Sequence, residues 1–572
     1  MMKQMKLTLG GYSCAGNKDI NQDAFAAKVP PSHLVNRKGV VAAIADGVSV
    51  SEQSQVAAQT AVTQFIQDYY ATKSAWSVAK SAASVISPLN HWFFSHNQRN
   101  ERSQAYVCTF TAFVGKGRQA WFFHVGDSRL LRLRDGKIRC LTRDHLAPFG
   151  GSESLSRALG IDSHLELDTK QFEMQEGDVY ILATDGLYHH TSDQNLIDQL
   201  SNARHCDLEQ LSETLCRQAL QAGSDDNISA LLVRVDDLPE AGLSEAKKLA
   251  MELAIPPVMK PGQKIDGLTI RHVLFSGTRS HVYVVENSAG EQFALKAPSA
   301  HFDDDLSYLE GFIKEEWIGK SLDHSNIMRM HARPEGSKFA YHLCEYLPGQ
   351  NLRQWMVDNP RPSLNQVRDI IRETVKALRA LQRNDMIHRD IKPENIIIDI
   401  HGHVKLIDFG TVQAAGLEEH FGHEKNATPQ GSADYIAPEY LLNQTATFKA
   451  DLFSLAVVMY EMLAGQLPYK TGASRYQIPD DISVWRYRPM RTVRSDLPNW
   501  IDLALERACS PVADNRPDSF SEFLEDLNKP NPQLLDRHEA APLIERDPVF
   551  FWKSLSGILA LACLALLAKD FI

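Results

Sequence analysis

Residues 387–410 read IHRDIKPENIIIDIHGHVKLIDFG. Within this stretch a carboxylate (Asp390), an ammonium two positions on (Lys392) and an amide (Asn395) crowd one short segment. A second carboxylate, Asp408, closes an apolar β-type run, VKLIDFG, thirteen residues after the amide. Moving a phosphoryl group asks little covalent chemistry of a protein; it asks for positioned divalent ions, an aimed hydroxyl and cancelled charge. The stretch holds each of those parts. Asp390 is expected to accept or orient a substrate hydroxyl, Lys392 to neutralise the moving phosphoryl group, and Asn395 with Asp408 to hold magnesium.

The order HRDxKPxN, then Asp-Phe-Gly at the end of a strand, resembles the protein kinase family, and the resemblance runs from about residue 265 to 527. It implies a small β-rich lobe joined to a larger helical lobe, with ATP between them. By the same resemblance FALKAP supplies Lys296 for the ATP phosphates and Glu315 is its ion-pair partner. CEYLPG places Cys344 at the gatekeeper position and Glu345 to Leu347 at the adenine-contacting hinge, while Glu439 of SADYIAPE pairs with Arg516 and Asp451 braces the catalytic loop. Lys392 together with GSADY resembles serine/threonine rather than tyrosine kinases. Arg389 beside Asp390 implies an active form in which a phosphate on the activation segment pairs with that arginine; Thr428 is the expected phosphosite, ahead of Ser432. One element departs from the pattern. The loop that should be rich in glycine reads FSGTRSHV, keeping Gly277 and Val282 but placing Phe275 and Ser280 at the flanking glycine positions. Bulk there is expected to weaken closure over the phosphates.

Upstream, two apolar runs each end in Asp-Gly: VVAAIADG (Asp46, Gly47) and VYILATDG (Asp185, Gly186). Asp23 closes GNKDINQD, and Asp225 and Asp226 open a strand in GSDDNISALLVRV. Carboxylates at the edges of hydrophobic strands converge if the strands form a sandwich, and such a cluster calls for a hard cation such as magnesium or manganese. GNKDINQD, AIADGVS, GDSR, LTRDH, SRALG, ILATDGL and SDDNIS follow one another as in the type 2C metal-dependent protein phosphatases, and residues 5–236 are similar to that family throughout. The resemblance implies that Asp46, the Gly47 carbonyl, Asp185 and Asp226 hold two metals, that Asp23 contributes through water, and that Asp127 helps hold a third. Paired metals would activate a water for in-line attack on phosphorus. Lys18 stands where the family has an arginine for the substrate phosphate, which keeps the charge but loses the two-pronged fork. Gln22 replaces a glutamate, and Val48-Ser49 replaces a stretch that in the family can hold a histidine acid.

With 572 residues, 44% hydrophobic and 23% charged, the chain is large enough for several cores and ordinary enough to fold. The formal net charge of -11 argues against a nucleic-acid partner. Eight cysteines with no metal-ligand spacing are expected to be reduced core residues. The N-terminus lacks the apolar stretch of a secretory signal, so the catalytic parts are expected inside the cell. The expected class is α+β multidomain: an α/β/β/α phosphatase sandwich over residues 1–238, a linker at 239–264, a bilobal kinase at 265–528, a second linker at 529–548, and a membrane-spanning helix at 549–568. Arg537 and Arg546 before that span, with Lys553 near its start, place both enzymes on the cytoplasmic side of a membrane. The arrangement resembles bacterial signalling proteins that both add and remove phosphate on Ser/Thr, with protein substrates that include the chain's own activation segment. The rival expectation is an active phosphatase whose kinase-like lobe, weakened at Phe275 and Ser280, serves only as a binding scaffold.

Overall fold

The run VVAAIAD, residues 40–46, is apolar at almost every position because it is covered on both faces. The computed structural model describes residues 5–49, 51–149, 152–201, 206–239, 253–300, 306–334, 336–414, 434–441, 447–469, 485–540 and 548–569. The chain divides into two compact units, the first built on residues 1–251 and the second begun at Glu252.

The first unit runs β1 (Lys6–Cys14), β2 (Asp23–Lys28), β3 (Val40–Asp46), α1 (Ser54–Ala71), α2 (Val78–Asn97), β4 (Phe110–Lys116), β5 (Gln119–Val125), β6 (Arg129–Arg134) and β7 (Lys137–Cys140). It continues with a hairpin of β8 (Leu146–Phe149) and β9 (Ser152–Leu155), then β10 (Asp168–Glu173), β11 (Val179–Ala183), α3 (Asp193–Leu200), α4 (Leu208–Gln221) and β12 (Ile228–Asp237). Two five-stranded sheets result, ordered β10-β5-β4-β3-β2 and β1-β12-β11-β6-β7. Strand side chains alternate between faces, and β3 shows it. Val41, Ala43 and Ala45 join a core with α1 and α2, whereas Val40, Ala42 and Ile44 join the core between the sheets. On β11, Tyr180 and Leu182 enter that central core while Val179, Ile181 and Ala183 pack with α3 and α4. The layers therefore run helix, sheet, sheet, helix, as expected from the family resemblance.

The second unit opens with a six-stranded antiparallel sheet, ordered β13-β14-β15-β16-β18-β17. Its strands are β13 (Lys264–Ile265), β14 (Leu268–Ser276), β15 (Ser280–Glu286), β16 (Gln292–Pro298), β17 (Met330–His331) and β18 (His342–Glu345), with α5 (Leu306–Lys320) between β16 and β17 in sequence. Short strands β19 (Gly349–Asn351), β20 (Met386–Ile387), β21 (Ile396–Asp399), β22 (Val404–Leu406) and β23 (Gln413–Ala414) and helices α6 (Leu364–Arg383), α7 (Phe448–Ala464), α8 (Asn499–Ala508), α9 (Phe520–Asn528) and α10 (Pro532–Ala540) follow. α7 is buried on all sides from Ala450 to Tyr460, the mark of a helix at the centre of a lobe. α6 begins with a reciprocal cap between Ser363 and Gln366.

Both expected linkers are shorter than their composition suggests. Ala254 already exchanges hydrogen bonds with Lys338 and Ala340, and Met259 is buried in the sheet's core. After Asn528, residues 532–540 form α10 rather than irregular chain. Two cysteines are not core residues: Cys140 and Cys206 are exposed, and the described cysteines are free.

The last helix, α11 (Pro548–Lys569), overlaps the span expected at 549–568. Among the described residues, however, no helix is long and apolar enough to cross a membrane. Lys553 sits in the second turn of α11, so the uncharged run extends only from Ser554 to Ala568, short of the ~20 apolar residues a crossing needs. The membrane anchor is therefore not supported.

Candidate active sites

Strand register builds the first site. β2 and β3 pair antiparallel with Asp23 opposite Asp46. Ala183, one residue before Thr184 and two before Asp185, pairs with Arg129 of β6 and with Ala230 of β12, so Asp127, Asp185 and Asp226 come to the same end of the sandwich. Gly47 has no room for a side chain: a Cβ there would lie 2.5 Å from the Ser54 carbonyl oxygen.

These acids are out of water and close to one another. Burial pushes the Asp23 carboxyl up to about 7, with Asp185 adding to the rise. Burial and the charges of Asp23, Asp185, Asp127 and Asp226 hold Asp46 well above the carboxylate range. Asp185 is raised by burial and by Asp226, and Asp127 is raised to about 6 by burial and by Asp185. Yet the expected ligands Asp23, Asp46, Gly47, Asp127, Asp185 and Asp226 are not drawn into a finished cage. Among the described residues no group of three or more His, Cys, Asp and Glu side chains is placed to hold a metal ion. Like charges repel, and neighbouring donors satisfy some of these carboxylates. Thr184 and Ser229 donate to Asp23 Oδ2 at 2.8 and 2.7 Å. Lys18 Nζ lies 3.3 Å from Asp226 Oδ1, which also accepts from the Asn227 N–H at 2.7 Å. The donor set still suits a hard divalent cation. Asp23 Oδ1 is buried with no partner, and raised carboxyls are what an uncompensated oxygen cluster produces.

Several supporting side chains could not be picked out from the sequence. Arg129 makes a two-pronged bond to Asp144 (3.0 and 2.6 Å), stacks 3.8 Å from the Tyr188 ring, and the Tyr188 hydroxyl donates to the Asp127 carbonyl at 3.2 Å. The Gly126 N–H donates to His145 Nδ1 at 3.1 Å, and His145 Nε2 faces Asp168 at 3.2 Å. Together they fix the turn that carries Asp127.

The second site is a chain of opposite charges. Lys296 on β16 donates to both Glu315 oxygens (2.8 and 3.0 Å) and to Asp408 Oδ1 at 3.2 Å. Burial works against the ammonium, but Asp408 and Glu315 outweigh it and raise its pKa. Lys296 in turn overcomes burial and keeps Asp408 below the usual carboxylate range. At Glu315 burial wins, raising it to about 7. Val282 sits opposite Lys296 across β15 and β16, on the same face of the sheet.

Asp390 Oδ2 accepts from Lys392 Nζ at 2.5 Å and from Asn395 Nδ2 at 3.0 Å. Buried Asp451 of α7 accepts from the backbone N–H groups of His388 and Arg389 at 2.8 and 2.9 Å. This tether holds Arg389 at φ 71°, a conformation that needs support in a non-glycine residue. Asp408 also has positive φ, 65°, and the Phe409 ring meets His388 edge-on at 5.9 Å. Arg389 Nε is buried without a partner. Cys344 is buried, and Glu345 accepts from Lys405 at 2.6 Å and from the Arg329 N–H at 2.7 Å. Leu347 is half-buried beyond it. Gly277 N–H donates to Ser280 across the loop at 3.1 Å. Thr428 and Ser432 lie outside the described residues.

The comparisons assign each half of the chain to a family. Residues 10–233 match the family model described as protein phosphatase 2C, and residues 268–542 match that described as protein kinase domain. The chain thus joins a phosphatase 2C domain to a protein kinase domain. Among curated relatives it is 31% identical over 214 residues to the serine/threonine-protein kinase PrkC of Bacillus subtilis, covering 36% of this chain and 32% of that protein. It is 30% identical over 206 residues to the serine/threonine-protein kinase PknA of Mycobacterium tuberculosis, covering 35% and 47%. The chain therefore spans less than half the length of these relatives. Among solved structures, PppA of Pseudomonas aeruginosa is similar at 24% identity and TM-score 0.34, covering 41% of this chain and 99% of that one. The serine/threonine phosphatase of S. agalactiae is similar at 22% and 0.36, covering 40% and 100%.

Proposed function

We propose that this chain both phosphorylates and dephosphorylates serine and threonine side chains of proteins, the kinase reaction in its second unit and the phosphatase reaction in its first. The single observation that carries the kinase reading is Lys296 held between Glu315 and Asp408, with Asp390, Lys392 and Asn395 bonded together on the neighbouring loop. Lys296 would bind the ATP phosphates, Gly277 and Val282 would cover the nucleotide, and the Glu345 to Leu347 segment would meet the adenine. Asp390 orients the acceptor hydroxyl and receives its proton as the oxygen–phosphorus bond forms and the bond to ADP breaks; Lys392 offsets charge on the transferred group. Asn395 and Asp408 would hold magnesium with ATP.

In the first unit Asp46, Asp185, Asp226 and the Gly47 carbonyl would hold magnesium or manganese, with Asp23 acting through water and Asp127 at a further ion. Such ions supply an acidified water and charge neutralisation at phosphorus. Lys18 swings from Asp226 to the substrate phosphate, and Thr184 and Ser229 keep Asp23 aimed. The partners are Ser/Thr and phospho-Ser/Thr proteins, the activation segment around Thr428 among them, because tethering holds it at high effective concentration.

A second reading, phosphatase with a binding-only kinase lobe, is favoured by Phe275 at the nucleotide loop. Labelled ATP with magnesium separates the two. Wild type and Asp46→Ala should label themselves, the latter more strongly, and Asp390→Ala should not. Binding of ATP without labelling in any variant would leave only the second reading.

A further inference from the structure

Behind the Lys296–Glu315 pair lies a histidine for which the reaction as described has no use. His342 on β18 is the direct cross-strand neighbour of Lys296 on β16, so both side chains rise from the same face of the sheet. It is 1% exposed. Its ring stacks on that of Phe312 in α5, with centroids 3.7 Å apart and planes 11° from parallel. Its Nε2 lies 2.7 Å from the Phe312 carbonyl. A carbonyl can only accept, so Nε2 carries the proton and Nδ1 is a bare acceptor. That Nδ1 is buried without a hydrogen-bond partner and faces Glu315 Oε2 at 3.7 Å.

Phe312 is three residues before Glu315, one helical turn away on the same side of α5. We propose that His342 is a positioning residue of the kinase unit, a bracket that grips α5 one turn upstream of Glu315 and so keeps that carboxylate on Lys296. The need for a bracket comes from competition: Lys296 also touches Asp408 at 3.2 Å. If α5 turned away, the ammonium would fall wholly to Asp408 and both would be lost to nucleotide and metal. The ring does this without competing for the pair's charge. Burial and the Lys296 charge keep it neutral, far below an ordinary histidine, so Glu315 is left to Lys296.

The inference rests on the kinase reading, and the test separates the two in the full-length chain. His342→Phe keeps a flat ring against Phe312 but removes the donor; His342→Gln restores a donor without the ring. The bracket predicts that His342→Phe lowers kcat for protein phosphorylation about tenfold, as expected when a reacting group is misplaced, with a much smaller change in KM for ATP. His342→Gln should stay nearer wild type. Deuterium exchange within α5 should rise in the Phe variant and less in the Gln variant, with hydrolysis of p-nitrophenyl phosphate by the first unit unchanged. Unaltered turnover in His342→Phe would overturn the proposal. So would equal losses in both variants together with loss of the second unit's cooperative unfolding. Should wild type transfer no phosphate, the kinase reading falls alone, and α5 exchange in the two variants still decides the bracket.

Discussion

Arg516 and Glu439, 77 positions apart, meet through two parallel hydrogen bonds of 2.8 Å, and the guanidinium is fully buried. The arginine also donates to the carbonyls of Ser510 and Lys449 at 2.7 and 2.9 Å. Every prong is used. Removing one partner would strand a buried charge, a loss of roughly 3–5 kcal/mol. Arg516→Ala should therefore lower the unfolding transition of the second unit sharply in calorimetry while leaving that of the first unit in place. An unchanged second transition would contradict the assignment of this pair as a structural brace.

The nucleotide loop supports a second prediction. Phe275 is 57% exposed, yet a Cβ on Gly277 would come within 2.6 Å of its ring, so the aromatic lies across the glycine. Phe275→Gly should free the loop to close and lower KM for ATP several-fold, on the order of 1 kcal/mol in binding. Gly277→Ala should impair the wild type and be milder in the Phe275→Gly background, because the clashing ring is gone. Steady-state phosphorylation across this double-mutant cycle is the measurement; additive effects would remove the proposed contact.

What could be read beforehand follows from how each site is built. Asp390, Lys392 and Asn395 lie within one loop, and Asp408 closes the strand run that follows, so fixed spacing identifies them. The supports of Asp127 come from strand pairing instead: Arg129, Asp144 and Tyr188 meet because β6 lies beside β11, and nothing local in LTRDH or DGLYHH announces that. His342 sits in an unremarkable strand, HLCE, and only register with Lys296 shows which way it faces. Residues 239–264 read as a linker because Pro256, Pro257 and Pro261 break periodicity, although Met259 still fills the core. The carboxylates of the first site were legible as residues, but the bonds that Thr184, Ser229 and Lys18 make to them were not, because those partners are brought in by strand pairing.

Lys18 offers the third prediction. Its pair with Asp226 is 41% and 38% exposed, so it contributes little to stability, within about 1 kcal/mol. Its effect should appear in substrate binding. Lys18→Arg presents a planar fork to phosphate and should lower KM for a phosphopeptide roughly threefold, whereas Lys18→Ala should raise it about tenfold. Melting temperatures should barely move. Equal kinetics for all three variants in manganese-supported hydrolysis would show that Lys18 does not meet the phosphate.

The fourth prediction concerns acid stability of the first unit. His124 is wholly buried. Its Nε2 donates to the Arg143 carbonyl at 3.0 Å, and its Nδ1 meets the Thr111 hydroxyl at 2.8 Å. The groups facing it are the His145 ring, 4.9 Å away, with Asp168 and Asp144 behind. Burial and His145 push its pKa down to about 4, against about 6.5 in the unfolded chain. Between those values the unfolded histidine binds more protons, so the contribution of His124 to stability is full above pH 6.5 and falls as the pH drops toward 4, by up to about 3 kcal/mol, opposite in sign to that of the raised carboxyls. His124→Gln keeps one donor and one acceptor but cannot take up the proton. Between pH 6.5 and 4 the stability of the first unit, read by denaturant unfolding, should therefore fall more steeply in wild type than in the variant; the same slope in both proteins would remove His124 as a source of acid sensitivity.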